Sequence, residues 1–130
     1  KGWKICPLIC YDLRFPVWSR NRFENRECDY DLLLYVANWP SPRADAWEKL
    51  LYARAIENQC YTIGVNRIGT DKKGLQYIGG STLIDMKGKI VRSATKNKEE
   101  IIHQTIDPTS LIEFRKKFPV GRDADQFTLN

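Results

Sequence analysis

Histidine and paired cysteines are scarce in this sequence, and their scarcity narrows the chemistry that it can support. The 130 residues contain one histidine, His103, and four cysteines at positions 6, 10, 28 and 60, with no C-x-x-C spacing. Because protein metal centres draw mostly on histidine and cysteine at short, regular spacings, we expect no metal. Four scattered cysteines also favour reduced thiols in a cytoplasmic protein over a disulfide framework.

The sequence also lacks long apolar runs. The longest, residues 32–37, has the length of a strand. A membrane-spanning helix needs about 20 apolar residues, and the chain does not open on a secretory signal peptide. We therefore expect no membrane partner and a cytoplasmic location.

The basic residues show no pattern typical of nucleic-acid binding, although the net charge is +5. They occur in short, separated groups, and aromatic side chains are not interleaved with them on one face. We expect solvated surface lysines and no nucleic-acid partner. With 42% hydrophobic and 28% charged residues, the composition is that of a single soluble globular domain.

The most informative stretch is residues 5–18, ICPLICYDLRFPVW. Its first five residues predict a short buried strand, and Pro16 suits the first turn of a following helix. Cys10 then lies where the strand ends, with Asp12 and Arg14 nearby, whereas Cys6 lies inside the apolar run. This position suits a nucleophile whose oxyanion is stabilised by the Tyr11 backbone amide. The alternative is that Cys10 is a small core residue, since free cysteines are often buried.

The remaining segments alternate between strand and helix patterns. We predict a helix at 18–26 with Trp18 and Phe23 facing inward, a helix at 44–59, and a helix through residue 117 capped by Asp107 with Pro108 at its first position. We predict strands at 29–37, 60–65, 78–85, 89–94 and 100–106, and an irregular tail at 118–130. Strands and helices in this order predict an α/β fold with a parallel or mixed sheet.

Four motifs give the sequence a family resemblance. They are CYDLRFP at 10–16, NWP at 38–40, RAIEN at 54–58 and NRIG at 66–69. Together they resemble the carbon–nitrogen hydrolase (nitrilase) superfamily and, within it, the omega-amidase branch, the 2-oxoglutaramate amidases. The resemblance implies an α-β-β-α sandwich, a homodimer in the complete protein, no cofactor, and a Glu–Lys–Cys triad with Cys10 as the nucleophile.

The sequence departs from that family in one respect. The family's catalytic Glu and Lys precede the cysteine in the chain, and only nine residues precede Cys10 here. The resemblance therefore implies that residues 1–130 are the C-terminal half of one carbon–nitrogen hydrolase domain. Half of a sandwich would leave one face of its sheet without a partner layer.

The function implied is hydrolysis of a small amide that carries a carboxylate, such as 2-oxoglutaramate, through a cysteine thioester. A carboxylate favours a bidentate arginine, and Arg43 is our first candidate and Arg14 the second. Asp12 and Asp29 are alternative partners for Arg14. Asn38 is a further candidate for substrate binding, and Trp39 is expected either to form a wall of the pocket or to pack beneath the loop.

Two other functions compete with this one. A catalytically inactive scaffold or binding protein of the same fold would explain why the Glu and Lys are not found here. A Cys–His hydrolase is disfavoured, because His103 falls in the predicted strand 100–106, where an alternating polar position explains it. The carboxylates of Asp12, Glu24 and Glu57 each have a simpler expected role in an ion pair with a nearby arginine, Arg54 in the case of Glu57.

Overall fold

A computed structural model describes residues 2–24, 27–125 and 127–128. These residues form two α-helices and nine strands. The strands are β1 (Ile5–Ile9), β2 (Phe23–Glu24), β3 (Glu27–Cys28), β4 (Leu32–Ala37), β5 (Tyr61–Asn66), β6 (Ile68–Thr70), β7 (Gln76–Ile78), β8 (Thr82–Ile84) and β9 (Ile90–Ser93). The helices are α1 (Ala44–Glu57) and α2 (Pro108–Lys117), and short 3-10 turns occupy Cys10–Arg14, Ser41–Arg43 and Val120–Asp123.

The main sheet has five strands in the order β1-β4-β5-β8-β9. β1, β4 and β5 are parallel, whereas β8 and β9 join antiparallel, so the expected α/β fold with a mixed sheet is confirmed. Since the three parallel strands run the same way, their carboxyl ends meet at one side of the sheet. We call this side the carboxyl edge; the chain leaves the strands there at Cys10, Asn38 and Arg67.

Helix α1 covers one face of the sheet at very short range. Its buried residues include Trp47 and Leu51, and they lie over Gly64 at the centre of β5. A Cβ atom on Gly64 would lie 2.5 Å from Leu51 Cδ1 and 2.6 Å from Trp47 Cζ2. Only a glycine lets the helix approach the strand this closely.

The opposite face of the sheet is covered only in part. α2 inserts Leu111 into a cluster at the amino ends of the parallel strands, with Leu32 and Tyr61. Towards the carboxyl edge, Ile9, Val36 and Val65 stand in one row across three strands and are 71%, 53% and 44% exposed. We call this row the open face; it is the uncovered apolar surface that half of a sandwich would leave.

The predicted helix at 18–26 is wrong. Residues 16–19 form a turn and Trp18 is 72% exposed, while β2 and β3 pair as a short hairpin. The buried side chain of Asn21 donates to the carbonyl oxygens of Tyr30 (2.9 Å) and Asn58 (3.1 Å), and its backbone amide donates to Asn58 Oδ1 (2.9 Å). These long-range bonds hold the segment extended, against its helical pattern. Residues 25 and 26 lie outside the described part of the chain.

The predicted strand at 100–106 is also wrong, because residues 101–107 have no regular structure and Ile101 is 85% exposed. The predicted strand at 78–85 is divided into β7 and β8, since Gly79 and Gly80 both adopt positive φ (77° and 76°). The helix through residue 117 is confirmed: the Asp107 carboxylate accepts hydrogen bonds from the amides of Thr109 (2.9 Å) and Ser110 (3.1 Å).

The contact between α1 and β5 generates a stability prediction. Gly64→Ala should lower the free energy of unfolding by about 1–3 kcal/mol, because the added methyl group overlaps Leu51 and Trp47. Urea unfolding of the full-length protein measures this change. Leu51→Ala on its own should cost about 2–5 kcal/mol, and the double variant should lose less than the sum of the two, since removing Leu51 makes room. An unchanged unfolding free energy in Gly64→Ala would show that α1 moves off the sheet without cost.

Candidate active site

Cys10 occupies an unusual backbone position at the carboxyl edge. It is the first residue of the 3-10 turn that directly follows β1, and its φ of 35° lies in the left-handed region. Such a conformation costs a residue with a Cβ atom on the order of 1–3 kcal/mol, and it clusters at functional sites. A sharp strand-to-turn reversal also projects the side chain away from the end of the strand, as the position of a nucleophile requires.

Three contacts hold the Cys10 turn in place. The Asp12 carboxylate accepts a hydrogen bond from the Ile9 amide (2.8 Å), and the side chain of Leu13 is fully buried. The Leu13 carbonyl accepts a hydrogen bond from Arg54 Nη2 of α1 (2.7 Å). Asp12 therefore stabilises the turn that it belongs to. The expected ion pair between Asp12 and an arginine is wrong, because the carboxylate bonds to the Ile9 backbone instead.

Arg54 and Glu57 form the predicted ion pair, with Nη1 of Arg54 at 2.8 Å from Oε1 of Glu57. The Arg54 side chain is only 4% exposed, so its charge is buried between α1 and the Cys10 turn. Because the Glu57 side chain is 32% exposed, the larger cost is expected from removing Glu57, which would leave the buried charge of Arg54 without its partner and would cost up to about 3–5 kcal/mol. The pairing of Glu57 with Arg54 favours a structural role for this carboxylate.

The Tyr11 amide lies in the first turn of the 3-10 helix. Amides at a helix start have no acceptor inside the helix, so they are available to a developing negative charge. The Tyr11 ring packs edge-on against Phe15, with ring centroids 5.3 Å apart. The role of the Tyr11 amide as an oxyanion donor stays a prediction.

The loop of residues 38–43 leaves β4 beside the Cys10 turn and carries three of the predicted site residues. Asn38 and Arg43 are exposed, whereas Trp39 is 3% exposed. The Trp39 indole Nε1 donates to the Arg43 carbonyl (2.7 Å), and its ring lies 5.5 Å from that of Trp47 on α1. Trp39 thus packs beneath the loop, and its contact with a substrate stays a prediction.

Arg14 joins the two segments that carry the candidate residues. Its guanidinium carbon lies 4.7 Å from the centroid of the Trp39 ring, so the Cys10 turn and the 38–43 loop contact each other. The expected alternative partners of Arg14 are wrong: Asp12 binds the Ile9 amide, and Asp29 pairs with Arg22 at 2.9 Å. A guanidinium stacked on an aromatic ring keeps its edge N–H groups available for a carboxylate.

Asn66, the last residue of β5, organises the edge and has no predicted role from sequence reasoning. Its side-chain oxygen accepts from the Trp39 amide (2.7 Å), and its side-chain nitrogen donates to the carbonyls of Trp39 (3.0 Å) and Gly79 (2.7 Å). The Ser81 hydroxyl also bonds to both backbone groups of Asn66 (2.9 and 3.2 Å). One amide therefore fixes the 38–43 loop to two later segments. The sequence feature that could have indicated this role is the position of Asn66 as the first residue of the NRIG motif.

The four cysteines differ in their surroundings. Burial raises the pKa of the Cys6 and Cys28 thiols, and it raises the pKa of Cys60 to about 12. These three thiols are therefore disfavoured as thiolates near neutral pH. Cys10 is half-buried and lies at the carboxyl edge, and in the described residues all four cysteines are free.

His103 is exposed and belongs to the irregular segment 101–107, not to a strand. The described residues contain no group of three or more His, Cys, Asp or Glu side chains that could hold a metal ion. No helix in the same part of the chain has the length and apolar character needed to cross a membrane.

Known proteins match this chain along almost its whole length. Omega-amidase YafV of Escherichia coli (strain K12) is 51% identical over 129 residues, which are 99% of this chain and 48% of that protein. The 2-oxoglutaramate amidase of Bacillus subtilis (strain 168) is 38% identical over 94% of this chain and 45% of its own length. The chain thus spans about half the length of the curated relatives that it matches.

The solved structures agree with these sequence matches. The crystal structure of XC1258 from Xanthomonas campestris, a CN-hydrolase superfamily protein with an arsenic adduct in the active site, superimposes with a TM-score of 0.96 at 48% identity. The match covers all of this chain and 50% of that one. The family model for carbon–nitrogen hydrolases matches residues 1–116. The chain belongs to the carbon–nitrogen hydrolase family.

Proposed function

We propose that the protein containing this chain hydrolyses the amide bond of a small carboxylate-bearing amide, such as 2-oxoglutaramate, through a thioester on Cys10. The observation that carries the proposal is the left-handed backbone of Cys10 at the end of β1, maintained by bonds to Asp12 and Arg54. Relatives named omega-amidase and 2-oxoglutaramate amidase support this substrate class.

The chemistry divides a difficult hydrolysis into two substitutions at one carbon. The Cys10 sulfur attacks the amide carbonyl, the C–N bond breaks, and the nitrogen leaves as ammonia after it gains a proton. Water then attacks the thioester carbonyl, the C–S bond breaks, and the acid and the free thiol are released. In both steps the carbonyl oxygen becomes an oxyanion, and we assign its stabilisation to the Tyr11 amide.

The general base and the catalytic cation are not assigned to residues of this chain. Asp12 and Glu57 are bound to Ile9 and Arg54, so neither carboxylate is free to take the proton of Cys10. We assign these roles to the Glu and Lys that the family resemblance places before the cysteine, in the part of the relatives' length that this chain does not span. The homodimer and the cytoplasmic location stay predictions.

The mechanism predicts that one thiol of the four is essential. In the full-length protein, Cys10→Ala should lower ammonia release from 2-oxoglutaramate by at least ~10³-fold, as expected when a nucleophile is removed. Cys6→Ala and Cys28→Ala are the controls and should keep most of the activity. Mass spectrometry of the quenched wild-type enzyme should detect the acyl adduct on the peptide that contains Cys10.

Two results would contradict this assignment. Turnover that persists in Cys10→Ala would reject the thioester on Cys10. A wild-type protein that releases no ammonia and forms no adduct would instead support the inactive scaffold of the same fold.

The substrate class predicts a second effect, at Arg43. Arg43→Lys replaces a planar fork by a point charge, so it should chiefly raise KM for 2-oxoglutaramate, by roughly tenfold. Levulinamide has the same amide and ketone without the carboxylate, and its KM should change much less. Steady-state kinetics with both substrates make the comparison. Equal increases for the two amides would mean that Arg43 shapes only the loop.

A further inference from the structure

Within the described residues, six arginines have no carboxylate within 4.0 Å of the guanidinium, and three of the six lie at the carboxyl edge; the other three are Arg20, Arg92 and Arg122. Arg22, Arg54 and Arg115 each pair with a carboxylate at 2.7–2.9 Å. Among residues 2–24, 27–125 and 127–128, by contrast, no carboxylate lies within 4.0 Å of the guanidinium of Arg14, Arg43 or Arg67. Three arginines without a carboxylate partner in the described residues therefore follow the parallel strands at the carboxyl edge, the side of the sheet on which Cys10 also lies.

Arg67 is held more firmly than its exposure suggests. Its guanidinium carbon lies 4.6 Å from the centroid of the Tyr77 ring, and its Nε donates to the Ile68 carbonyl (3.3 Å). Its backbone amide donates to the Ala37 carbonyl (3.4 Å), which ties the residue to the end of β4. Because stacking uses the face of the guanidinium, the two terminal nitrogens keep their N–H groups for a planar anion.

The Tyr77 ring, which supports Arg67, is itself held by burial and by a hydrogen bond. Tyr77 lies in β7, 9% exposed, and its hydroxyl donates to Asp71 Oδ2 (3.2 Å). The other oxygen of Asp71 accepts from the amides of Lys73 (2.8 Å) and Leu75 (3.0 Å). Burial and the Asp71 carboxylate raise the pKa of Tyr77, while Arg67 and Arg43 lower it. Of these two arginines, Arg67 is the one that contacts the Tyr77 ring.

Arg67 also faces a cavity of suitable size. The cavity has a volume of about 620 Å³ on the sheet side that carries the open face, and Val65, Arg67 and Arg92 contribute to its wall. Ligand pockets for small molecules are typically about 300–1,000 Å³. Its wall combines apolar residues of β5 with Arg67 at the strand end and with charged residues of both signs at 98–100, whereas Cys10 and Arg43 lie outside the lining.

The spacing of the strands selects Arg67 over Arg92. β5 lies two strands from β1, about 10 Å away, whereas β9 lies four strands away, about 19 Å. The end carbons of a five-carbon substrate lie roughly 5 Å apart, and an extended arginine reaches roughly 6 Å from its Cα, at about 1.5 Å per bond. An arginine at the end of β5 can therefore bind the carboxylate while Cys10 attacks the amide, and one on β9 cannot.

We propose that Arg67 is a specificity-determining residue, and that it binds the carboxylate of the amide substrate together with Arg43. The inference rests on the proposed function, because it takes Cys10 as the point of attack. Tyr77 is its positioning residue: by holding the guanidinium before the substrate arrives, it reduces the loss of side-chain freedom on binding.

The test compares two substrates and two arginines in the full-length protein. Arg67→Gln should lower kcat/KM for 2-oxoglutaramate roughly 10- to 100-fold, the effect expected for a lost charge-assisted bidentate contact. The ratio of kcat/KM for 2-oxoglutaramate to that for levulinamide should fall by the same factor. Arg92→Gln, a matched change in the wall of the same cavity, should leave both values unchanged.

Tyr77 and Arg43 give two further comparisons. Tyr77→Leu removes the supporting ring and should lower the same ratio, whereas Tyr77→Phe keeps the ring and should lower it less. If Arg67 and Arg43 share one carboxylate, the losses in the Arg67→Gln/Arg43→Gln double variant should be less than additive. Binding of glutarate to the Cys10→Ala protein, measured by calorimetry, provides a readout without turnover and should weaken by a similar factor in Arg67→Gln.

The outcomes separate this inference from the proposed function. The role of Arg67 would be overturned by any of three results that leave amide hydrolysis intact. These are an equal fall of kcat/KM for both amides in Arg67→Gln, an unchanged affinity for glutarate in that variant, or a fall of kcat/KM of the same size in Arg92→Gln. A wild-type protein that hydrolyses neither amide would reject the proposed function, and glutarate binding would then decide the role of Arg67 on its own.

Discussion

The buried guanidinium of Arg54 is the constraint on which the candidate site depends. It joins α1 to the Cys10 turn through the Leu13 carbonyl and is neutralised by Glu57 on the same helix. The backbone carbonyl of Arg54 accepts a hydrogen bond from the side-chain nitrogen of Asn58 (3.1 Å). The side-chain oxygen of Asn58 in turn accepts a hydrogen bond from the backbone amide of Asn21 (2.9 Å). The RAIEN motif thus has a physical explanation: one charged and one amide side chain connect the helix end to the two segments that flank it.

Asn66 gives the NRIG motif a similar explanation on the next strand. A buried amide that makes three side-chain hydrogen bonds is costly to replace, because a shorter or charged side chain leaves backbone groups of Trp39 or Gly79 without partners. The bonds fix where the 38–43 loop leaves β4. Arg67, the next residue, then starts from a fixed backbone, and the Tyr77 ring determines where its guanidinium lies.

Sequence reasoning succeeded where local patterns and burial agree. The strand that became β4, the helix α1 and the capped helix α2 all have strong periodic or capping signals, and each was predicted within a few residues. It failed at residues 18–26 because the side chain of Asn21, a residue that looks solvated on a helix, is bonded to distant backbone. It failed at 100–106 because an alternating segment becomes a strand only beside a sheet edge that can pair with it.

The candidate site was predictable only in part, for a related reason. The position of Cys10 at the end of a strand follows from a local change of pattern and is observed. The surroundings of the arginines follow from distant pairings: Arg14 lies on Trp39, and Arg67 on Tyr77, ten residues further along the chain. Local spacing predicts Asp12 as the partner of Arg14, but in the structure the Asp12 carboxylate accepts a hydrogen bond from the Ile9 amide instead.

The carboxyl edge combines a strained backbone at Cys10 with arginines that pair with no carboxylate in the part of the chain that the structure describes. A cysteine keeps a left-handed backbone only where the surrounding contacts hold it there. Here the flanking residues are held by the hydrogen bond from the Ile9 amide to Asp12, by the burial of Leu13 and by the hydrogen bond from Arg54 to the Leu13 carbonyl. The energy of those bonds offsets the strain and leaves the thiol at the edge of the sheet. Aromatic rings hold Arg14 and Arg67 at the carboxyl edge without neutralising them, and this retained positive charge is what the proposed binding of an anionic substrate requires.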